Sequence, residues 1–289
     1  MQNYRDCLRL NLRGLHLALR GRLISSREVA DSYDRLAAGY EANWLERIRP
    51  ATDRLLARID GVPDGGGIVD LGCGTGYTTA ILRTRFPASP LVAIDLSSGM
   101  LDAARRRVGE AGVRFVQAEM LAGLRGIETG SQALAVSAWA MGYSQSAAVI
   151  REVHRILQPG GRFAFIVNLA DSLHAINRAF RRTMQAHSEA LRCLAWPRFP
   201  RSAQALGRAA RRAGFRIVSL ESGYQPICAQ ADLPQPVLPW LLQTGALAGF
   251  DAMLPLSDGG PVAQRFEAEL RAAGEDLRHH FAEGVLLRP

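Results

Sequence analysis

Two carboxylates and three glycines are the residues here whose types and spacing could do chemistry together. Val69-Asp70-Leu71-Gly72-Cys73-Gly74-Thr75-Gly76 closes a short apolar run and opens onto a helical pattern that begins at Tyr77. Gly72 and Gly74 permit a positive φ or a close backbone approach where a side chain would intrude. The helix after them offers N–H groups with no partner inside the helix. A dinucleotide loop would need its third glycine at residue 77, and that residue is tyrosine. Asp70 stands two residues before the first glycine, where a carboxylate would repel a pyrophosphate and suit a ligand with a cationic amino group. A second acid, Asp95, ends the run Leu91-Val92-Ala93-Ile94. From there a carboxylate can accept both hydroxyls of a ribose.

The elements that must position these groups alternate. Ile68–Leu71 is an apolar strand, Tyr77–Phe86 a helix closed by Pro87, and Leu91–Ile94 a second strand. A helix follows through Met100, Leu101, Ala104 and Val108, then a strand at Val113–Gln117 and a fourth at Leu134–Ala138. A helix through Val149, Val153 and Leu157 leads to a Pro159-Gly160-Gly161 turn and a fifth strand, Arg162–Val167. Such alternation predicts a parallel sheet with helices on both faces. Beyond Asn168 the spacing predicts helices over 172–195 and 202–214 and strands over 215–220 and 284–287, with His279-His280 ahead of the last strand. Ahead of the loop, Ser25 and Glu28 have the spacing of a capping box. The helix they open carries Val29, Tyr33, Leu36 and Tyr40 along one side. Pro50 opens a third helix, through Leu55, Leu56 and Ile59.

These motifs resemble class I S-adenosylmethionine-dependent methyltransferases over residues 30–167, and more loosely to the C-terminus. The glycine loop matches the family's first motif, and Asp95 its ribose-binding acid, with Leu96-Ser97-Ser98-Gly99-Met100-Leu101 as the usual continuation. The acid near the adenine falls in Phe115-Val116-Gln117-Ala118-Glu119-Met120, with Glu where Asp is commoner. Leu157-Gln158-Pro159-Gly160-Gly161 matches the fifth element, whereas Ser131-Gln132 replaces an aromatic-Asp pair before strand four. The resemblance implies a Rossmann-like, seven-stranded α/β fold with S-adenosylmethionine held by Asp70, Gly72, Cys73, Gly74, Gly76, Asp95, Leu96, Met100, Glu119, Met120 and Ala138. Tyr33–Tyr40 is similar to the segment that covers the cofactor in small-molecule methyltransferases, among them quinone C-methyltransferases and the carrier-protein methyl-ester former of biotin synthesis. By that likeness Tyr40 touches the cofactor and Trp44 walls the acceptor.

No catalytic signature accompanies the cofactor motifs. Methyl transfer from a sulfonium needs chiefly an aligned acceptor, and a base only where the acceptor loses a proton. Ligands in α/β sheets sit beyond the carboxyl ends of the strands. Trp139 and Tyr143 after strand four are therefore candidate pocket residues, with Asn168 and Asp171 after strand five and His174 in the capping region. The four cysteines form no CxxC pair and the histidines no metal spacing, so reduced thiols and no metal are expected.

The chain has 289 residues, a formal net charge of +8 and no lysine, which removes lysine Schiff-base chemistry. Its arginines are spread over the whole length, a pattern of solvated surface, so no nucleic-acid partner is expected. No apolar run is long enough to span a bilayer, and the arginines among the first leucines do not make a signal peptide; a cytoplasmic protein is expected. Tyr4, Leu8, Leu12, Leu15, Leu19 and Leu23 nevertheless share one helical stripe, with arginines to one side and Leu10 and Leu17 off it. Residues 4–23 could thus make peripheral membrane contact, or pack on the chain's own lid or on a second subunit. The predicted organisation is a helical lid segment over 1–60 and a methyltransferase domain over 61–289, with helical insertions at 172–200 and 225–280 covering the acceptor. So large a lid favours a small or medium organic acceptor, lipophilic or aromatic, methylated on O, C or N. An adenosylmethionine-binding regulatory protein without turnover remains open, as does a nucleotide-dependent oxidoreductase, which Tyr77 disfavours.

Overall fold

The computed structural model describes residues 2–195 and 199–289. In chain order the helices are α1 (Gln2–Leu19), α2 (Ser26–Leu36), α3 (Glu46–Ala57), α4 (Tyr77–Arg85), α5 (Ser98–Val108) and α6 (Met120–Arg125). They continue as α7 (Ser146–Ile156), α8 (His174–Ala186), α9 (Ala203–Arg212), α10 (Leu238–Leu241), α11 (Phe250–Met253) and α12 (Pro261–Ala273). The strands are β1 (Gly67–Leu71), β2 (Leu91–Asp95), β3 (Val113–Gln117), β4 (Gln132–Ala138), β5 (Leu157–Asn168), β6 (Arg216–Cys228) and β7 (Leu277–Leu287). The chain divides into two compact units: Met1–Trp44, Leu173–Pro197 and Pro226–His279 in the first, Leu45–Ser172, Arg198–Gln225 and His280–Pro289 in the second.

The second unit is built on a seven-stranded sheet in the order β3-β2-β1-β4-β5-β7-β6. The strands β3 to β5 pair in parallel, and β7 runs antiparallel to β5. Central strands read as continuous apolar runs because helices cover both of their faces. Val69, Leu71, Ala135, Phe163, Phe165 and Val167 are almost completely buried in one cluster with Val149, Val153 and Ile156 of α7. The helices are started by local chemistry: Ser97 Oγ accepts from Met100 N–H at 3.1 Å, and Ser202 Oγ from Ala205 N–H at 3.2 Å. This is the Rossmann-like seven-stranded arrangement that the motifs predict.

The first unit is helical. Ser25 and Glu28 form the expected capping box at α2. α8 packs along α12, and α1 along α8. α1 is held by Leu17, which is buried, and by Arg13, whose guanidinium donates to the Leu191 carbonyl at 3.0 and 2.8 Å.

Several boundaries differ from the sequence reading. α2 ends at Leu36, so Tyr40 is not on its helix; it lies beyond a turn, though its ring meets that of Tyr33 edge-on at 6.1 Å. Pro50 does not open α3. It sits inside it, after a one-turn π-helix at Glu41–Leu45 that lets the chain enter from upstream. Helix stops at Ala186 where the periodicity extends to 195; a short 3-10 turn at Ser188–Ala190 follows, and residues 196–198 of the predicted insertion lie outside the described residues. The Pro-Gly-Gly turn is absorbed into β5 as a bulge between the pairs Gln132↔Leu157 and Leu134↔Arg162. β6 runs on to Cys228, into the segment read as insertion, and β7 begins at Leu277, so His279 and His280 lie within the last strand and not ahead of it. Both strands carry polar residues that hid their length.

Candidate functional site

All three loop glycines have positive φ, 72° at Gly72, 53° at Gly74 and 82° at Gly76, yet they do different work. A Cβ on Gly72 would stand 2.1 Å from Ala140 Cβ, and one on Gly76 would stand 2.9 Å from Ala104. These two glycines let the loop close against the segment after β4 and against α5. A Cβ on Gly74 would meet nothing within 4 Å. Gly74 therefore presents bare backbone to open space. α4 begins directly after Gly76 without a side-chain cap, the arrangement in which early helix N–H groups can serve a ligand. Tyr77, at the third-glycine position, donates from its hydroxyl to Asp53 at 2.5 Å, and its ring lies under the Arg49 guanidinium at 5.0 Å.

The acids are fixed by the same backbone. Asp95 accepts from Gly74 N–H through Oδ2 and from Ser97 N–H through Oδ1, both at 2.9 Å. Asp70 is completely buried under the loop, where the sequence reading had it face the ligand directly. Its Oδ2 accepts from the Thr79 hydroxyl at 2.6 Å, and its Oδ1 is buried with no hydrogen-bond partner. Burial pushes its pKa up to about 7, against the Thr79 bond and with help from the nearby Asp95 charge. Burial likewise pushes the Cys73 thiol up, with both acids adding to the effect, and Cys73 is packed inside the loop. Glu119 caps α6, taking Leu121 N–H at 2.8 Å and Ala122 N–H at 3.2 Å, and accepts from the Ser144 hydroxyl at 2.7 Å. Met100 is buried in α5, Leu96 and Met120 are half-buried just beyond the ends of β2 and β3, and Ala138 is half-buried as the last residue of β4.

Trp139, at the end of β4, has φ 66°, a left-handed conformation that costs a non-glycine residue and concentrates at functional sites. Its N–H donates to the Ile166 carbonyl at 2.7 Å, its indole donates to Thr52 Oγ1 at 3.0 Å, and its ring meets Phe281 edge-on at 5.5 Å. Tyr143 meets Phe199 in the same way at 5.6 Å. Three further predicted residues, Trp44, Tyr40 and His174, belong to the first unit. Trp44 is buried edge-on against His279 at 5.2 Å, Tyr40 is half-buried, and His174 is exposed at the start of α8. Burial holds His279 neutral, its pKa lowered to about 3. The first unit also has a cavity of about 460 Å³ lined by Ser32, Arg35, Asn43, Gln243, Thr244 and Asp251, with Arg35 and Asp251 paired at 2.6 Å.

One constellation escaped the sequence reading. The register of β5 and β7 pairs Asn168 with Phe281, which brings His280 beside the residues that follow β5. His280 Nδ1 lies 2.7 Å from Asp171 Oδ1, its backbone N–H donates to Ser172 Oγ at 3.2 Å, and Tyr224 stacks on its ring at 4.5 Å. A carboxylate on one imidazole nitrogen orients the other, and this pair stands at the carboxyl end of a parallel strand. Asp171 and His280 each attracted notice in the sequence, but their pairing spans more than a hundred residues and has no local signal.

Comparison with known proteins agrees with this geometry. Residues 68–161 match the family model described as "Methyltransferase domain". Trans-aconitate 2-methyltransferase of Acidovorax ebreus (strain TPSY) is 37% identical over 150 residues, 52% of this chain and 55% of that protein. Malonyl-[acyl-carrier protein] O-methyltransferase of Dechloromonas aromatica (strain RCB) is 34% identical over 175 residues, 57% of this chain and 62% of that protein. The chain thus spans little more than half the length of these curated relatives. In fold it is similar to geranyl diphosphate C-methyltransferase from Streptomyces coelicolor A3(2), solved with Mg2+, geranyl diphosphate and S-adenosyl-L-homocysteine, with a TM-score of 0.50 and 18% identity over 85% of this chain and 81% of that one. The match to a methyltransferase domain therefore lies over residues 68–161, the stretch that holds the glycine loop, Asp95 and Glu119.

Proposed function

We propose that the second unit binds S-adenosylmethionine and that the protein transfers its methyl group to a small or medium organic acceptor, lipophilic or aromatic. The observation that carries the reading is the bare backbone of Gly74, open to space beside the anchored carboxylate of Asp95. The residues suit the ligand: Asp95 would take the ribose hydroxyls, the start of α4 the carboxylate, and Leu96, Met100, Glu119, Met120 and Ala138 the adenine side. The buried Asp70 carboxyl, with its Oδ1 unpartnered under the loop, is a polar support for the glycine backbone that the ligand would meet. S-adenosylmethionine supplies a methyl group on a positively charged sulfur, so the chain's own task is alignment and exclusion of water.

By the family resemblance Tyr40 is a proposed cofactor contact, and the cavity within the first unit is a proposed space for the acceptor. For an acceptor that must lose a proton, His280 oriented by Asp171 is the proposed base. The relatives' names point to acids, and a carboxylate acceptor, which needs no base, is the second reading. Its observation is Arg35 in the cavity wall. A lipophilic acceptor would suit a cytoplasmic protein that meets a membrane through residues 4–23. The test is transfer of label from S-[methyl-³H]adenosylmethionine to a panel holding trans-aconitate, a malonyl thioester, geranyl diphosphate and aromatic hydroxy compounds. Cofactor binding without transfer to any pool of lipid or polar metabolites would leave a regulatory adenosylmethionine-binding protein instead.

A further inference from the structure

Eight large apolar side chains stand well exposed among the described residues, and six of them are Tyr4, Leu8, Leu12, Leu15, Leu19 and Leu23. Five of them, Tyr4 to Leu19, lie on α1, where at ~100° per residue they fall within an arc of about 80° on one face, and Leu23 lies beyond the helix end, bridged to Leu194. Leu8, Leu12 and Leu15 are about half exposed or more, and Leu19 reaches 81%. This face does not hold α1 in place. The opposite face does, through buried Leu17, half-buried Leu10 and the Arg13 bonds to Leu191. The two leucines that blur the stripe in sequence are thus the ones turned inward, and the outward stripe is cleaner than the sequence shows.

The border of that stripe has one sign. Arg5, Arg9 and His16 are exposed along one side of α1, and Arg20 and Arg22 are exposed just beyond its end. The one acid of the segment, Asp6, is half-buried and projects toward the inner side on the helical wheel. We propose that the outward face of α1 docks on an anionic lipid surface, with its leucines in the acyl boundary and its guanidinium groups at the phosphates. The proposal commits to lipid through charge. A second copy seated on the same face would bring two arginine-lined stripes together, in a chain already at +8, whereas anionic headgroups complement them. Insertion across the membrane is a different matter, because no helix among the described residues is long and apolar enough to cross it. The proposal stands independently of the methyl-transfer reading.

The experiment is co-sedimentation of the full chain with phosphatidylglycerol vesicles and with phosphatidylcholine vesicles at low and moderate salt. Binding to phosphatidylglycerol alone that weakens with salt is expected, since headgroup attraction is screened within about 10 Å at 0.1 M. A variant carrying Leu8→Glu, Leu12→Glu, Leu15→Glu and Leu19→Glu should lose vesicle binding with its circular dichroism and melting temperature unchanged, because those side chains are already in solvent. Arg5→Gln, Arg9→Gln, Arg20→Gln and Arg22→Gln keep the stripe, and each should weaken phosphatidylglycerol binding about fivefold. Failure of the full chain to bind phosphatidylglycerol at low salt would overturn the proposal, as would equal binding to phosphatidylcholine. A dimer that the leucine variant converts to monomer, with no vesicle binding by either, would assign the face to a second copy instead.

Discussion

The three loop glycines should separate stability from binding when each is replaced by alanine. Gly74→Ala places a residue with a side chain at φ 53° with no atom to strike. The cost is the left-handed strain alone, about 1–2 kcal/mol. For a chain of this size that is a loss of roughly 2–8 °C in melting temperature. Gly72→Ala adds to similar strain a Cβ 2.1 Å from Ala140 Cβ, where carbon atoms rest ~3.5–4.0 Å apart. The loop and the segment after β4 must separate, which costs about 1–3 kcal/mol more. Gly76→Ala, at 2.9 Å from Ala104, falls between. Cofactor affinity should not follow this order. Gly74→Ala, the mildest for the fold, fills the space that the ligand needs, and S-adenosylhomocysteine affinity should fall at least about tenfold, ~1.4 kcal/mol. Thermal unfolding and titration calorimetry on the three variants supply both numbers. If Gly72→Ala melts as high as Gly74→Ala, or Gly74→Ala binds the product cofactor like the parent, the division of labour among the glycines is wrong.

Asp95→Ala should weaken cofactor binding tenfold or more, since a charge-assisted hydrogen bond contributes roughly 1.5–3 kcal/mol; calorimetry on the folded variant checks it, with unchanged affinity as the contrary result. Asp70 makes a pH prediction. Its folded pKa of about 7 lies above the unfolded 3.8, so the folded state holds the extra proton. Its stabilising contribution is present below pH 3.8 and lost as pH rises to about 7, on the order of 4 kcal/mol in all. Asp70→Asn should therefore match the parent near pH 4 and exceed it in urea melts at pH 8; a difference that does not change with pH would contradict this. With an acceptor that loses a proton, His280→Gln should lower kcat roughly 10²–10⁴-fold with KM retained. A parent-like kcat would return His280 to a packing role. No three of the described His, Cys, Asp and Glu residues stand together as a metal cage, so methyl transfer should continue in EDTA; loss restored by one divalent metal would expose a site assembled from distant residues.

What could be read from the sequence was local. The apolar run, the glycine spacing and the acid ending the next strand are set by contacts within about thirty residues, so β1, the loop, α4 and β2 were legible. The parallel sheet followed from alternation. The finer split among the glycines was not legible, because Ala140 and Ala104 reach the loop only through tertiary packing. His280 beside Asp171 needed the β5–β7 register, which no local pattern encodes. Pro50 was misplaced because a proline can follow a π-turn inside a continuing helix as well as open a new one. At the N-terminus, Leu10 and Leu17 read as blemishes on one stripe, whereas they are the inner face of a helix that uses both sides.

Titration of the purified chain with S-adenosylhomocysteine and, separately, with NADH tests the central claim most directly. The account predicts one-to-one, saturable binding of S-adenosylhomocysteine that Asp95→Ala weakens, and no heat from NADH. Saturable NADH binding, or no S-adenosylhomocysteine binding by a folded chain, would contradict it.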